Sequence, residues 1–258
     1  MKQPNKNTFH KLPILDGLEV LDAKYHTLDF PFHTHNTFNI TLVIEQVFST
    51  KLSDRFLQAP AGTLMITNPE EVHATVCDHN IGCSFFTFYV SPDVLTGLND
   101  MQPVFFENKV IDDKELFQRL YHISQQFGTD HPGAEKELLK TLELLVTKYA
   151  PGTATPDKKN RLFRKFLEEE SFEKFSLENT ANQFGLDKYK FLRLFKQETG
   201  LTPNNYIILK RIEKCKQLLH TQDDLLGIAL ETGFYDATHL CKHFKRLTGI
   251  TPQAYRKA

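Results

Sequence analysis

No stretch of this chain is apolar for long enough to cross a membrane. Its apolar runs, such as Leu225-Leu226-Gly227-Ile228-Ala229-Leu230, last a handful of residues, far short of the roughly 20 that a spanning helix needs. The N-terminus, Met1-Lys2-Gln3-Pro4-Asn5-Lys6-Asn7, lacks the apolar core of an export signal. Cysteine is scarce. Cys77, Cys83, Cys215 and Cys241 are the whole complement of 258 residues, too few for a disulfide framework, so a reduced cytoplasmic setting is expected. Net charge is nearly absent at -1, which by itself points to no polyanionic partner. What is present is a globular composition, 40% hydrophobic and 24% charged, which excludes a disordered chain.

The small net charge conceals a division. Residues 157–258 carry a net of +6 and residues 1–156 a net of -7, so only the C-terminal half is suited to meet a polyanion. The sign changes at Ala150-Pro151-Gly152-Thr153-Ala154-Thr155-Pro156-Asp157, where two prolines, a glycine and small polar residues can neither sustain a helix nor bury a core. This reads as a linker over 150–157, between a first domain at 1–149 and a second at 158–258.

The first domain opens β-rich. Thr37-Phe38-Asn39-Ile40-Thr41-Leu42-Val43-Ile44 alternates so that Phe38, Ile40, Leu42 and Ile44 share one strand face. Gly62–Thr67 and Cys83–Val90 read as further strands, separated by Ala59-Pro60-Ala61-Gly62, Asn68-Pro69 and the turn at 78–82. Short strands at such spacing predict a barrel or sandwich. After about residue 112 the period becomes helical. Asp112 and Asp113 stand at the start of a helix carrying Leu116, Phe117, Leu120, Ile123 and Phe127 on one side. A second helix, from about Ala134 to Tyr149, spaces Leu138, Leu142, Leu145 and Tyr149 by 4, 3 and 4. That is a coiled-coil seam, which either packs on its own barrel or forms a homodimer contact.

The second domain contains an internal repeat. At an offset of 49, Phe195-Lys196 matches Phe244-Lys245, Gly200 matches Gly249, Thr202-Pro203 matches Thr251-Pro252, and Tyr206 matches Tyr255. At an offset of 48, Leu177, Ala181 and Gly185 match Leu225, Ala229 and Gly233. Each copy reads as a short helix, a glycine turn and a second helix capped by an aspartate, Asp187 or Asp236. That is the arrangement that lays a helix in the major groove. Thr202 and Pro203 open a long helix between the copies. These strings, with the turn Gly233-Phe234-x-Asp236, closely resemble the DNA-binding domain of the AraC/XylS family of bacterial transcription regulators. The resemblance implies a cytoplasmic regulator, an activator acting through RNA polymerase, rather than an enzyme.

If Phe191, Leu194 and Phe195 form the buried stripe of the first recognition helix, Tyr189, Leu192 and Arg193 face outward, flanked by Lys188 and Lys196. In the second helix Leu240 and Phe244 are buried, Ala237, Thr238, Cys241 and Lys242 face the groove, and His239, Lys245 and Arg246 lie nearer the phosphates. Arginine can bond guanine bidentately and a tyrosine can touch a thymine methyl. Leu192 departs from the family's usual polar residue. Cys215 falls where the family has a small buried residue.

Pro31-Phe32-His33-Thr34-His35 and the string from Gly62 to His73 resemble the cupin-like sensor domain that precedes many such DNA-binding domains. The implied fold is a cupin-like N-terminal β-barrel with trailing helices, followed by an all-α tandem helix-turn-helix. In enzymatic cupins two such histidines, a glutamate and a later histidine hold a metal. His33, His35 and His73 are present, but the glutamate is not, because Asn39 or Ile40 stands in its place. No cofactor is expected, although three imidazoles can hold a divalent metal, and an alternative is a metal-binding cupin sensor or enzyme fused to a DNA-binding domain. The pattern His73-x-x-x-Cys77-x-His79-x-x-x-Cys83 also has ligand spacing, with the turn at 78–82 expected to separate the two cysteines. The other reading is a small-molecule effector inside the barrel, held by Phe38, Ile40, Leu42, Phe86 and Phe88 with His33, His35 and His73.

Overall fold

A computed structural model describes residues 5–15, 17–126, 133–150, 162–169, 175–222 and 224–258. The chain divides into two compact units, one built on most of the strands with three helices and the other on the C-terminal helices together with Phe30–His33 and Val72–Ala74. Apart from Ala150, the expected linker lies outside the described residues, and so does Phe127.

Among the described residues, ten strands build two sheets. The larger one joins β1 (Lys6–Lys11), β2 (Glu19–His26), β9 (Cys83–Val90), β4 (Phe38–Glu45), β7 (Leu64–Thr67) and β10 (Val110–Ile111), in that order. The smaller one runs β3 (Phe30–His33), β8 (His73–Val76), β5 (Val47–Leu52), β6 (Phe56–Pro60). The three strands expected from alternation are β4, β7 and β9, which lie side by side at the centre of the larger sheet. Their register is antiparallel. Ile40 stands opposite Phe88 and Ile66, and Asn39 opposite Tyr89 and Thr67. The turn before β9 is tied by the Asp78 carboxylate, whose Oδ1 accepts from the backbone N–H of Asn80 at 2.8 Å and of Ile81 at 3.0 Å. It ends at Gly82, with φ +74°, where a Cβ would stand 2.8 Å from the His26 carbonyl oxygen. Both the left-handed backbone and the close approach require glycine there.

Three helices cover one face of the larger sheet: α1 (Pro92–Leu98), α2 (Lys114–Gln126) and α3 (Ala134–Tyr149). Phe38, Ile40, Leu42, Leu64, Ile66, Phe86 and Phe88 form one continuous core with Leu95, Leu116, Leu120, Ile123, Leu138, Leu142 and Leu145. Burying each such side chain is worth roughly 1.5–3 kcal/mol. Of the two fates open to the α3 heptads, the core is the one realised. Leu138, Leu142 and Leu145 are 0% exposed within one chain and Tyr149 packs against the same cluster, so none of the leucines is left for a second copy. Asp113 caps α2, its Oδ1 accepting the N–H groups of Glu115 and Leu116 at 3.1 Å. Its Oδ2 accepts Lys148 Nζ at 2.6 Å and Tyr149 Oη–H at 2.9 Å, which ties the end of α3 to the start of α2. These hydrogen bonds, Lys148 foremost, hold the Asp113 carboxyl down to about 2.

The second unit holds α4 (Leu162–Glu169), α5 (Leu177–Gln183), α6 (Lys188–Thr199), α7 (Pro203–Leu218), α8 (Leu225–Glu231), α9 (Ala237–Thr248) and α10 (Pro252–Arg256). The caps read from the sequence at Asp187, Thr202 and Asp236 are in place, and Ser176 and Thr251 act in the same way. Each accepts a backbone N–H of its helix's first turn, worth about 1 kcal/mol. Phe163, Phe184, Phe191, Phe195 and Tyr206 meet as an aromatic cluster, with adjacent ring centroids 4.9–5.8 Å apart. The two copies also share a closing device. The Thr199 hydroxyl donates to the Phe195 carbonyl at 2.8 Å beside Gly200, and Thr248 repeats this to Phe244 at 2.8 Å beside Gly249. Cys215 is fully buried, as its position led us to expect. Its thiol donates to Thr232 Oγ1 at 3.1 Å, and burial pushes it up to about 11.

Candidate functional site

Each recognition helix buries one stripe and leaves another bare. In α6, Phe191 and Phe195 are buried while Lys188, Arg193 and Lys196 are exposed and Tyr189 stands 75% exposed. Leu192 and Leu194 are half-buried. In α9, Leu240 and Phe244 are buried, Thr238, Lys242, Lys245 and Arg246 are exposed, and Ala237, His239 and Cys241 are half-buried. The bare stripes correspond residue by residue. Tyr189, Leu192, Arg193 and Lys196 lie at i, i+3, i+4 and i+7, and the same offset of 49 carries them onto Thr238, Cys241, Lys242 and Lys245. Positions so spaced share one helix face. Each helix therefore presents an uncharged residue near its start, a cation one turn on and a second cation beyond. This suits base contacts near the N-terminus of the helix and phosphate contacts along it. Between them the 16 residues of α7 span about 24 Å at 1.5 Å per residue.

Two further side chains on this surface went unread in the sequence. Tyr235 is 89% exposed in the turn before α9, its ring 6.2 Å from that of His239. His239 and His243, one turn apart, bring their rings to 4.8 Å. Burial first, then the neighbouring His239, pushes the His243 imidazolium down. An aromatic residue inside a glycine-led turn was the available signal for Tyr235.

Of the three candidate metal ligands, His33 and His73 fall in the same unit and come together there. The His33 and His73 rings are 4.4 Å apart. His33 Nδ1 must donate to the Pro31 carbonyl at 2.6 Å, so its Nε2 carries the lone pair. Burial, reinforced by His73, holds His33 down to about 3, so it is a neutral imidazole. Asn39, in the place of the cupin glutamate, brings an amide instead, its Oδ1 accepting from Thr37 Oγ1 at 3.2 Å.

The expected effector residues divide by sheet face. Phe38, Ile40, Leu42, Phe86 and Phe88 pack against the helices, outside the space between the sheets. The alternate residues Asn39, Thr41, Thr67, Thr87 and Tyr89 point the other way, and His35 joins that side with its ring 5.4 Å from Tyr89. Nor are Cys77 and Cys83 kept apart by the turn at 78–82. Both are buried and lie within hydrogen-bonding reach of each other, which together with burial pushes the Cys77 thiol up. Among the described residues, no helix is long and apolar enough to cross a membrane.

A sheet-rich unit followed by two helix-turn-helix motifs defines a transcription regulator with a ligand-binding domain. A family model described as an AraC-like ligand binding domain matches residues 17–145, and one described as a helix-turn-helix domain matches residues 180–258. The chain belongs to the AraC family of transcriptional regulators. It is 28% identical over 227 residues to the uncharacterized HTH-type transcriptional regulator YbfI of Bacillus subtilis, covering 82% of this chain and 81% of that protein. It is 26% identical over 262 residues to the HTH-type transcriptional activator RhaS of Shigella flexneri, covering 95% and 94%. Among solved structures, apo ToxT from Vibrio cholerae matches 99% of both chains with a TM-score of 0.58 at 12% identity. At that identity the likeness is one of fold. A ToxT structure with bound unsaturated fatty acid matches with a TM-score of 0.54 at 10% identity.

Proposed function

We propose that this chain is a cytoplasmic, effector-responsive activator that reads an asymmetric DNA site of roughly 20 bp with α6 and α9 in successive major grooves. The observation that carries this reading is the register match of the two bare stripes. Two helices that merely covered a core would have no reason to repeat a cation at Arg193 and Lys242, and again at Lys196 and Lys245. Activation is supported by RhaS, an activator of similar length and organisation, and recruitment of RNA polymerase would be its route. The sheet unit would supply the signal, since an effector shifts an equilibrium only by its different affinity for two states. Self-association would need a surface other than the α3 leucines. The test is selection of bound sequences from random double-stranded DNA at physiological salt. A motif with two elements about one helical turn apart is expected, and binding without sequence preference would refute the reading.

A second reading has one specific observation behind it, the meeting of His33 and His73. With His35, the third histidine that the cupin resemblance implies, they would hold a divalent metal. Growth with added zinc or nickel, followed by metal analysis, should then find about one ion per chain. Protein free of metal after such growth would remove this reading.

A further inference from the structure

The two helix-turn-helix copies differ in length by one residue, and the backbone identifies it. In each copy the residue after the turn glycine bonds back to the first helix. The Leu186 N–H donates to the Ala181 carbonyl at 3.0 Å, and the Phe234 N–H to the Ala229 carbonyl at 2.8 Å. Both side chains then pack inward, Leu186 on the aromatic cluster of the first copy and Phe234 at 2% exposure in the second. In the first copy the capping aspartate, Asp187, follows at once. In the second, Asp236 comes one residue later. The residue in between is Tyr235, which has no counterpart.

Folding does not account for Tyr235. The first copy makes the same turn and the same cap without it, and at 89% exposure its ring adds no burial to the core. It leans along the first turn of α9, where its centroid is 6.2 Å from that of His239 and its N–H is aimed at His239 Nδ1 at 3.5 Å. An imidazole that accepts at Nδ1 carries its proton on Nε2. The pair therefore offers a phenol O–H and an imidazole N–H at the entry to α9. The residue 49 before His239 is Lys190, which is exposed. Where the first copy has a cation, the second has two rings with uncharged donors.

His239 lies beside the bare stripe of Thr238, Cys241, Lys242 and Lys245, not on it. A ring leaning toward His239 flanks the bases instead of meeting them. What flanks the bases in a duplex is the sugar-phosphate backbone, and tyrosine is among the side chains that hydrogen-bond phosphate oxygens. We infer that Tyr235 donates its phenol O–H to a DNA phosphate at the edge of the second major groove, and so positions α9 by a contact that carries no charge. The inference rests on the reading of α9 as a recognition helix and adds a contact that the first copy lacks.

The experiment is fluorescence anisotropy of the full-length protein on its selected duplex and on a random one, at several salt concentrations. Tyr235→Phe, which loses only the hydroxyl, should weaken both duplexes alike, about threefold to tenfold. It should leave the slope of log K against log salt unchanged, because no cation is lost, whereas Lys245→Ala should lower that slope by about 1. A methylphosphonate placed in turn at each phosphate flanking the second element should weaken the wild type most at one position, and Tyr235→Phe should remove that excess. Full-strength binding by Tyr235→Phe would overturn the inference, even if Tyr235→Ala bound weakly, because the ring and not the hydroxyl would then make the contact. A loss confined to the selected duplex would assign Tyr235 to a base and overturn it as well. Melting temperatures of both variants should match the wild type, and a fall of several degrees would return Tyr235 to the fold. Wild-type binding without sequence preference would sink the regulator reading alone, since random DNA still tests a phosphate contact.

Discussion

Replacing Arg193 by alanine removes a fork of five donors from an exposed position one turn into α6. If the fork bonds a guanine edge, its loss should cost about 1–3 kcal/mol on the selected DNA, a factor of about 5–150 in Kd. Random DNA should be much less affected, because non-specific binding rests on phosphates. Lys196→Ala, further along the same face, should instead weaken both DNAs alike and lower the slope of log K against log salt by about 1. Lys242 holds the matching position in α9, and the roughly 24 Å of α7 keeps the two helices beyond the separation at which mutations couple. The losses in Arg193→Ala and Lys242→Ala should therefore add to within about 0.5 kcal/mol in the double variant. Fluorescence anisotropy on labelled specific and random duplexes, at several salt concentrations, measures all of these. Equal losses for Arg193→Ala on both duplexes would refute base reading. A double variant no worse than either single one would refute the two-headed mode, because only one helix would then be in a groove.

Four other outcomes follow from the packing. Leu142→Ala should destabilise the sheet unit by about 2–5 kcal/mol in denaturant titration, and Leu142→Arg should unfold that unit rather than yield a folded monomer. Asp113→Ala should cost about 1–2 kcal/mol through the lost α2 cap. The contribution of Asp113, whose folded value lies below the ordinary one, is present above about pH 4 and should fade toward pH 2 in acid unfolding. Burial holds His26 down to about 4 and His33 down to about 3. Each binds its proton more readily when unfolded, so stability should be full above about pH 6.5 and decline below it. Thermal unfolding at pH 7 and pH 5 checks that sign. Gly233→Ala should lower the melting temperature, because φ is +81° and the new Cβ would stand 2.9 Å from the Arg211 guanidinium.

The helical half was the more legible because its signals are local. A cap is one residue and the three N–H groups after it, so Asp187, Thr202 and Asp236 announced their helices wherever the rest of the chain went. A duplicated segment also supplies its own comparison: a residue at one position could be checked against the residue 49 further on. The sheet unit gave up three strands of ten. β3 and β8 are four residues each and show too little alternation to register. β5 and β6 are held by pairing with residues that local sequence cannot name. Cys77 and Cys83 misled for the same reason, since the turn that was expected to part them is what brings them together.

The expected pocket wall lies on the face the helices cover, for a reason that applies to any sheet covered on both sides. Alternation tells which residues share a face, not which face is which. An antiparallel sheet with one wet face declares itself, because the polar residues must be outside. In β4 the burial is nearly continuous from Phe38 to Val43, so both faces are inside and polarity no longer marks solvent. The large apolar set was then the natural choice for a pocket wall, although apolar bulk is also what helices need beneath them. Only the partners distinguish the two. Phe38, Ile40 and Leu42 are claimed by α1, α2 and α3, which leaves Asn39, Thr41 and Thr87 facing the second sheet. A buried threonine in a strand with two covered faces is the residue whose presence packing alone does not explain, and it is there that a binding function should be sought.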